Sequence, residues 1–165
     1  MQVRVLLWVL NNFCMDILSI KESYLKDFSK FNGHSFLGVD SVVGMWQHKI
    51  APITTSIGTF GLGDSICVVA KRGNDVLLAH YPPLPDDIKT IKGIVANFKP
   101  EKTYLFTTPE WIQINGKFVE QQRDYGIVAD VVVSYSEIID LNDPMSNTLI
   151  VKNGEIIAFG SKYKI

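Results

Sequence analysis

The chain has 165 residues, of which 47% are hydrophobic and 20% charged, and its 16 basic and 17 acidic side chains give a formal net charge of −1. This length and composition are typical of ordinary globular proteins, so we expect a single domain over residues 1–165. The balanced charge excludes the strong basic field of a nucleic-acid-binding surface and gives no electrostatic reason to expect a membrane surface as partner.

The first part of the chain predicts a helix between two less regular stretches. The apolar run Val5–Leu10 is too short to span a bilayer and no small-residue cleavage site follows it, so we expect a first core strand or short helix there rather than a signal peptide. Residues 16–31 carry apolar side chains at helical spacing. Residues 36–57 show a mixed pattern, with strand-like pieces around Val42 and Ile53.

From Thr59 onward the sequence is typical of strands. Strands are predicted at 65–70, 76–81, 103–108 and 126–136, and hairpins with Asn-Gly turns over 111–121 and 147–160. Residues 85–98 predict a helix that begins with a proline and two aspartates. We therefore expect an α+β fold, a largely antiparallel β-sandwich with one or two helices against one side.

The turn between the first two of these strands brings a histidine to a cysteine. Gly73-Asn74 predicts a two-residue hairpin turn, because both residues tolerate positive φ. The resulting register sets Cys67 directly opposite His80, with Ser65 two residues earlier on the same face. Opposed Cβ atoms lie about 5 Å apart and diagonal ones roughly 7–8 Å. A histidine at this distance can take the proton of a thiol or hydroxyl and return it to a departing amine, as acyl transfer requires.

A glycine-rich turn, GTFGLGD, precedes the strand that carries Ser65. Its glycines allow close approach of the backbone, so the N–H groups of Gly61, Gly63, Asp64 and Ile66 are candidates for an oxyanion hole. The turn lacks the third glycine of a dinucleotide-binding motif and the Gly-Lys-Ser/Thr of a phosphate loop. The alternative interpretation is a structural bend that leads into a β-hairpin.

The cysteines and the other histidines do not predict a metal site. Cys14 and Cys67 match no zinc spacing, and nothing in the sequence favours a disulfide between them over two free thiols. Neither His34 nor His48 has acidic or cysteine partners at ligand spacing, so no metal is expected.

The stretch TFGLGDSICVVA…VLLAHYPPLPDD resembles the active-site segment of the cysteine-dependent protein glutamine deamidases. These include the bacterial chemoreceptor deamidases and the catalytic domains of cytotoxic necrotizing factor and Burkholderia lethal factor toxins. The resemblance covers about 30 residues and rests on Thr59, the Gly-Leu-Gly turn at 61–63, the Ala-His step at 79–80 and Leu-Pro at 84–85.

The resemblance implies a hydrolase acting on carbon–nitrogen bonds, which converts a glutamine side chain to glutamate, releases ammonia and needs no cofactor. The implied partner is a protein substrate that carries the target glutamine, with neither nucleic acid nor a membrane span. The implied location is the cytoplasm, or the cytosol of a host for a toxin or effector. In this interpretation His80 is the general base and acid, Thr59 orients its imidazole, and backbone N–H groups from Gly63 to Ile66 hold the oxyanion.

The nucleophile is open between two positions. The family's cysteine, six residues after the threonine, falls on Ser65 in an alignment without gaps, whereas the hairpin register points to Cys67. Either Ser65 replaces a natural cysteine and leaves an inactive variant, or Cys67 is the nucleophile after a two-residue insertion in the turn, or the protein is a natural serine variant or an inactive relative. Two other functions also stay open, a non-catalytic β-rich interaction domain and an amidohydrolase that uses the same pair of residues on a small molecule.

Overall fold

The computed structural model describes residues 17–30, 37–135 and 147–165. Within these residues there are two helices and twelve strands. The helices are α1 (Ile17–Phe28) and α2 (Pro85–Phe98). The strands are β1 (Ser41–Val42), β2 (Gln47–Pro52), β3 (Ile57–Thr59), β4 (Ile66–Arg72), β5 (Asp75–Tyr81), β6 (Lys102–Thr107), β7 (Glu110–Ile114), β8 (Lys117–Gln121), β9 (Val131–Ser134), β10 (Leu149–Lys152), β11 (Glu155–Ala158) and β12 (Ser161–Lys164). None of the described helices is long and apolar enough to cross a membrane.

The strands form two five-stranded sheets and one two-stranded hairpin. The first sheet has the order β1-β3-β10-β11-β12, the second has the order β2-β5-β4-β6-β9, and β7 pairs with β8. Neighbouring strands are antiparallel except in the pairs β1–β3 and β6–β9, which are parallel. This architecture confirms the α+β expectation of a largely antiparallel, β-rich fold with flanking helices.

The central strands of the second sheet, β4, β5 and β6, are buried on both faces, and side chains alternate between the two faces along each strand. One face, with Val68 and Ala79, packs against Ile91 and Val95 of α2. The other face packs against the first sheet in a separate apolar cluster. The members of that cluster on the second sheet include Cys67, Val69, Leu78 and Phe106, and those on the first sheet include Ile57, Leu149, Val151 and Ile156. His80 lies on this inner face, because it stands opposite Cys67 in the ladder.

Helix α2 has the bounds that the sequence predicts. Pro85 is suited to the first turn because an N–H at this position has no acceptor within the helix, so its absence in proline costs nothing. Asp86 and Asp87 complement the positive end of the helix dipole. The helix ends at Lys99, which adopts a left-handed conformation at φ 53°. Asp87 accepts a hydrogen bond of 3.1 Å from the indole Nε1 of Trp46, which ties the start of the helix to the turn before β2.

The hairpin of β4 and β5 has the predicted register, from Arg72 opposite Asp75 to Cys67 opposite His80. Two details differ from the prediction. The strand begins at Ile66, one residue after Ser65. Gly73 alone of the two turn residues has positive φ, at 56°, which is the pattern of a type II′ turn.

Most of the remaining predicted elements are confirmed. Helix α1 lies within the predicted residues 16–31, and the hairpins that turn at Asn115-Gly116 and Asn153-Gly154 have positive φ at all four turn residues. The strand-like piece around Val42 is β1, and the piece around Ile53 lies earlier than expected, because β2 ends at Pro52. Ile53 itself lies in the following turn, and its N–H donates to Asn74 O. The proposed first element at Val5–Leu10 lies outside the described residues.

The predicted strand over 126–136 is shorter than expected, since only Val131–Ser134 pair with β6, and they do so in parallel. The reason lies at Asp130, whose carboxylate accepts a hydrogen bond of 2.7 Å from the Thr103 N–H. The Asp130 N–H in turn donates to Thr103 O at 2.9 Å, so a side-chain contact and a backbone contact of Asp130 precede the ladder that begins at Val131. Ser136, the last residue of the predicted strand, lies outside the described residues.

Candidate active site

The centre of the candidate site is a hydrogen bond between the two sheets. His80 lies near the end of β5 in the second sheet, and Thr59 is the last residue of β3 in the first. Their Oγ1 and Nδ1 atoms are 2.8 Å apart, and both residues are 0% exposed. The predicted contact between Thr59 and the imidazole is therefore present in the structure.

The second ring nitrogen of His80 is unpaired. Its Nε2 is buried and has no hydrogen-bond partner among the described residues. When Nδ1 carries the ring proton and donates it to Thr59 Oγ1, Nε2 holds a lone pair, which is the form that a general base requires.

Burial keeps this imidazole neutral. The fully buried ring has its pKa lowered from 6.5 to about 3, because burial disfavours the charged form. The neutral ring has a lone pair for a proton, but this pKa makes it a weak base while it is buried, since a general base is most effective with a pKa near the working pH. A nucleophile beside it is therefore a thiol or alcohol at rest, and its proton moves only as it attacks.

Ser65 is the second residue with an unpaired polar atom. Its Oγ is buried without a partner among the described residues, and the residue is 1% exposed. It immediately precedes β4, two positions before Cys67, which stands opposite His80 in the ladder. No hydrogen bond joins Ser65 Oγ to His80 Nε2, since both atoms are without a partner among the described residues. An unpaired buried hydroxyl costs roughly 1–3 kcal/mol, and such groups in native structures call for a functional explanation.

Cys67, the other candidate nucleophile, has an apolar environment. It lies between His80 on β5 and Phe106 on β6, and it belongs to the apolar cluster between the sheets. Burial raises the pKa of its thiol, and the residue is 0% exposed. Cys67 is a free thiol, whereas Cys14 lies outside the described residues. A neutral, fully buried thiol is typical of a core cysteine rather than a reactive one.

The loop from Gly61 to Ser65 is held at both ends by residues distant in sequence. The Tyr135 hydroxyl contacts the carbonyl oxygens of Gly63 and Ser65 at 2.9 and 2.8 Å. The Asn147 side-chain amide donates to Leu62 O at 2.6 Å, and the Leu62 N–H donates to Asn147 O at 3.2 Å.

Asp64 is held by side chains on either side of the β7–β8 hairpin. Its Oδ1 accepts a hydrogen bond of 2.8 Å from the Thr108 hydroxyl and lies 3.3 Å from Arg123 Nη1. The sequence pattern singled out none of these supporting residues, because Tyr135 and Thr108 lie at ordinary strand ends and Arg123 and Asn147 belong to no motif.

The predicted oxyanion donors differ in what their N–H groups do. The Gly63 N–H donates to Gly61 O at 2.9 Å. In a two-residue hairpin the residue pair next to the turn, here Arg72 and Asp75, exchanges backbone hydrogen bonds, and so does every second pair after it. Ile66 and Tyr81 form one of these pairs, so the Ile66 N–H is already used within the sheet. Neither the Gly61 N–H nor the Asp64 N–H has a hydrogen bond to another described residue. Of these two, the Asp64 N–H is next to position 65 in the chain, so it is the donor that we assign to an oxyanion.

The described ranges 17–30, 37–135 and 147–165 contain no group of three or more His, Cys, Asp or Glu side chains that could hold a metal ion. His48 lies apart from His80, on the edge strand β2, and its Nδ1 is 3.1 Å from the Tyr81 hydroxyl. His34 lies outside these ranges.

The site is closed in this structure, since Ser65 and His80 are at most 1% exposed. A substrate carboxamide can therefore reach Ser65 and His80 only if the residues that cover them move. Comparison of the sequence with protein-family models and with curated proteins found no match.

Proposed function

We propose that this protein is an amidohydrolase that acts on the side-chain carboxamide of a protein glutamine. The observation that carries the proposal is a pair of buried polar atoms on neighbouring strands. The Nδ1 of His80 lies 2.8 Å from Thr59 Oγ1, its Nε2 has no partner among the described residues, and the hydroxyl of Ser65, just before β4, has none either. Thr59, His80 and position 65 are also the positions that the resemblance to the glutamine deamidases assigns to orienting residue, base and nucleophile. The surroundings of the two residues favour position 65 as the nucleophile, because Cys67 belongs to the apolar cluster between the sheets, whereas Ser65 has a buried polar atom without a described partner.

The chemistry follows from these groups. The side chain at position 65 attacks the carboxamide carbon while His80 Nε2 takes its proton. In this proposal the Asp64 N–H donates a hydrogen bond to the oxygen that becomes negative. His80 then returns the proton to the nitrogen, the carbon–nitrogen bond breaks and ammonia leaves. Water, activated in turn by His80, hydrolyses the resulting ester or thioester to a carboxylate and regenerates the nucleophile.

Serine at position 65 makes slow turnover the expectation for this chain. A thiol is a far stronger nucleophile than an alcohol beside a simple histidine pair, and nothing among the described residues supplies the carboxylate that supports serine in a Ser-His-Asp triad. Ser65→Cys should therefore increase activity strongly.

The test compares four chains, the unchanged protein, Ser65→Cys, Ser65→Cys with His80→Gln, and Ser65→Cys with Cys67→Ala. Each is incubated with casein as a glutamine-bearing protein probe, and ammonia release is measured together with conversion of glutamine to glutamate by mass spectrometry. We expect activity in Ser65→Cys, its loss with His80→Gln, and its retention with Cys67→Ala. Far-ultraviolet circular dichroism checks that every chain is folded.

Other results assign a different function. If Cys67→Ala abolishes activity and Ser65→Cys adds none, the nucleophile is Cys67. Activity on free glutamine or small amides but not on casein indicates the small-molecule amidohydrolase. The closure of the site favours a second candidate, a non-catalytic interaction domain, and folded chains that release no ammonia from either kind of probe would support it.

A further inference from the structure

The Tyr135 side chain meets the candidate nucleophile loop from the interior of the fold. It follows β9, its N–H donates to Thr107 O at 3.1 Å, and its ring stacks on Phe159 with centroids 4.4 Å apart and planes 5° from parallel. The ring is thus fixed independently of its hydroxyl. The hydroxyl reaches the Gly63 and Ser65 carbonyl oxygens, which flank Asp64 and the nucleophile position.

These contacts restrict the peptide groups around Ser65. In a trans peptide the C=O and the following N–H point in opposite directions. Because the Gly63 C=O faces Tyr135, the Asp64 N–H points away from it, and the second contact fixes the backbone of Ser65 itself. Burial raises the pKa of Tyr135 well above 10, so its hydroxyl keeps the hydrogen that it shares between the two carbonyls.

We propose that Tyr135 is a positioning residue, whose hydroxyl fixes the orientation of the Asp64 N–H and of the Ser65 side chain at the candidate active site. The catalytic part of this inference rests on the proposed function. The structural part, that Tyr135 restrains the loop, is independent of the proposed function and is measured without any substrate.

Tyr104 provides a matched control. It is also buried in the cluster between the sheets, and its hydroxyl donates to a backbone carbonyl, Lys164 O, at 2.6 Å. Tyr104→Phe and Tyr135→Phe therefore each remove a buried hydroxyl that contacts backbone carbonyl oxygen. The two variants differ because only Tyr135→Phe removes a contact to the loop that carries Ser65.

The first measurement is amide hydrogen exchange of the unchanged chain and the two phenylalanine variants. We expect exchange in the segment 61–66 to become at least about tenfold faster in Tyr135→Phe and to stay unchanged in Tyr104→Phe, since local opening follows the loss of local contacts. Equal exchange of this segment in both variants would overturn the proposal.

The second measurement places both variants in the Ser65→Cys background, with casein as the probe. We expect Tyr135→Phe to lower kcat for ammonia release at least about tenfold with KM within about twofold, because a misplaced oxyanion donor acts mainly on the transition state. Tyr104→Phe should keep kcat. Equal kcat values in an active background would overturn the positioning role. If the background releases no ammonia, the proposed function fails, and hydrogen exchange alone decides whether Tyr135 holds the loop.

Discussion

Replacing His80 with glutamine should flatten the dependence of folding stability on pH. In the folded chain the imidazole is fully buried and its pKa is lowered from 6.5 to about 3, whereas in the unfolded chain it is exposed to water and titrates near 6.5. The unfolded state therefore binds one more proton than the folded state at any pH between these values. Stability from this group is complete above pH 6.5 and is lost as the pH falls toward 3.

The size of the effect follows from the same two values. One pH unit corresponds to about 1.4 kcal/mol, so His80 should remove about 2 kcal/mol of stability between about pH 8 and pH 5, and about 4 kcal/mol by about pH 3. A typical domain has a free energy of unfolding of about 5–15 kcal/mol, so the loss is large enough to measure. Glutamine retains a polar group that can bond to Thr59 but does not titrate.

The assay is urea unfolding of the unchanged chain and His80→Gln at several pH values from about 8 to about 5, a range in which most carboxylates stay ionised. His48→Gln is the control, because it removes a histidine from an exposed position. We expect the unchanged chain and His48→Gln to lose stability as the pH falls, with His80→Gln losing about 2 kcal/mol less. Equal slopes for the unchanged chain and His80→Gln would refute the buried, neutral imidazole.

Two further predictions concern the candidate nucleophiles. Ser65→Ala should leave the free energy of unfolding unchanged or raise it by about 1 kcal/mol, because it removes a buried hydroxyl without a described partner. Ser56→Ala is the control and should lower the free energy of unfolding by about 1 kcal/mol, because the Ser56 hydroxyl donates to Asp40 at 2.8 Å. Urea unfolding measures both, and a clear loss of stability in Ser65→Ala would contradict the unpaired hydroxyl. With Cys14→Ser leaving Cys67 as the sole thiol, iodoacetamide at neutral pH should modify the native chain only as fast as it unfolds. Rapid labelling that His80→Gln slows would instead identify Cys67 as an activated nucleophile.

Residues close together in the chain account for the elements that the sequence predicted well. Pro85 with two aspartates marks the start of α2, and the Asn-Gly pairs mark two hairpin turns. In the β4–β5 hairpin, Gly73 supplies the positive φ of a two-residue turn, and the turn length alone sets Cys67 opposite His80. The errors lie where a distant group intervenes, as at Asp130, whose carboxylate accepts a hydrogen bond from the Thr103 N–H.

The sequence by itself determined the local geometry of this protein, including the strand that follows Ser65 and the histidine that stands opposite Cys67, because turn type and side-chain periodicity depend on neighbouring residues. The contact of Thr59 with His80 was expected only through the resemblance to a family. Only the tertiary structure decided that Ser65 Oγ has no described partner and that Tyr135, 70 residues away, reaches its carbonyl. These features depend on how the two sheets pack against each other and on the pairing of β9 with the free edge of β6. Both involve segments far apart in the chain, and no local sequence pattern encodes their packing.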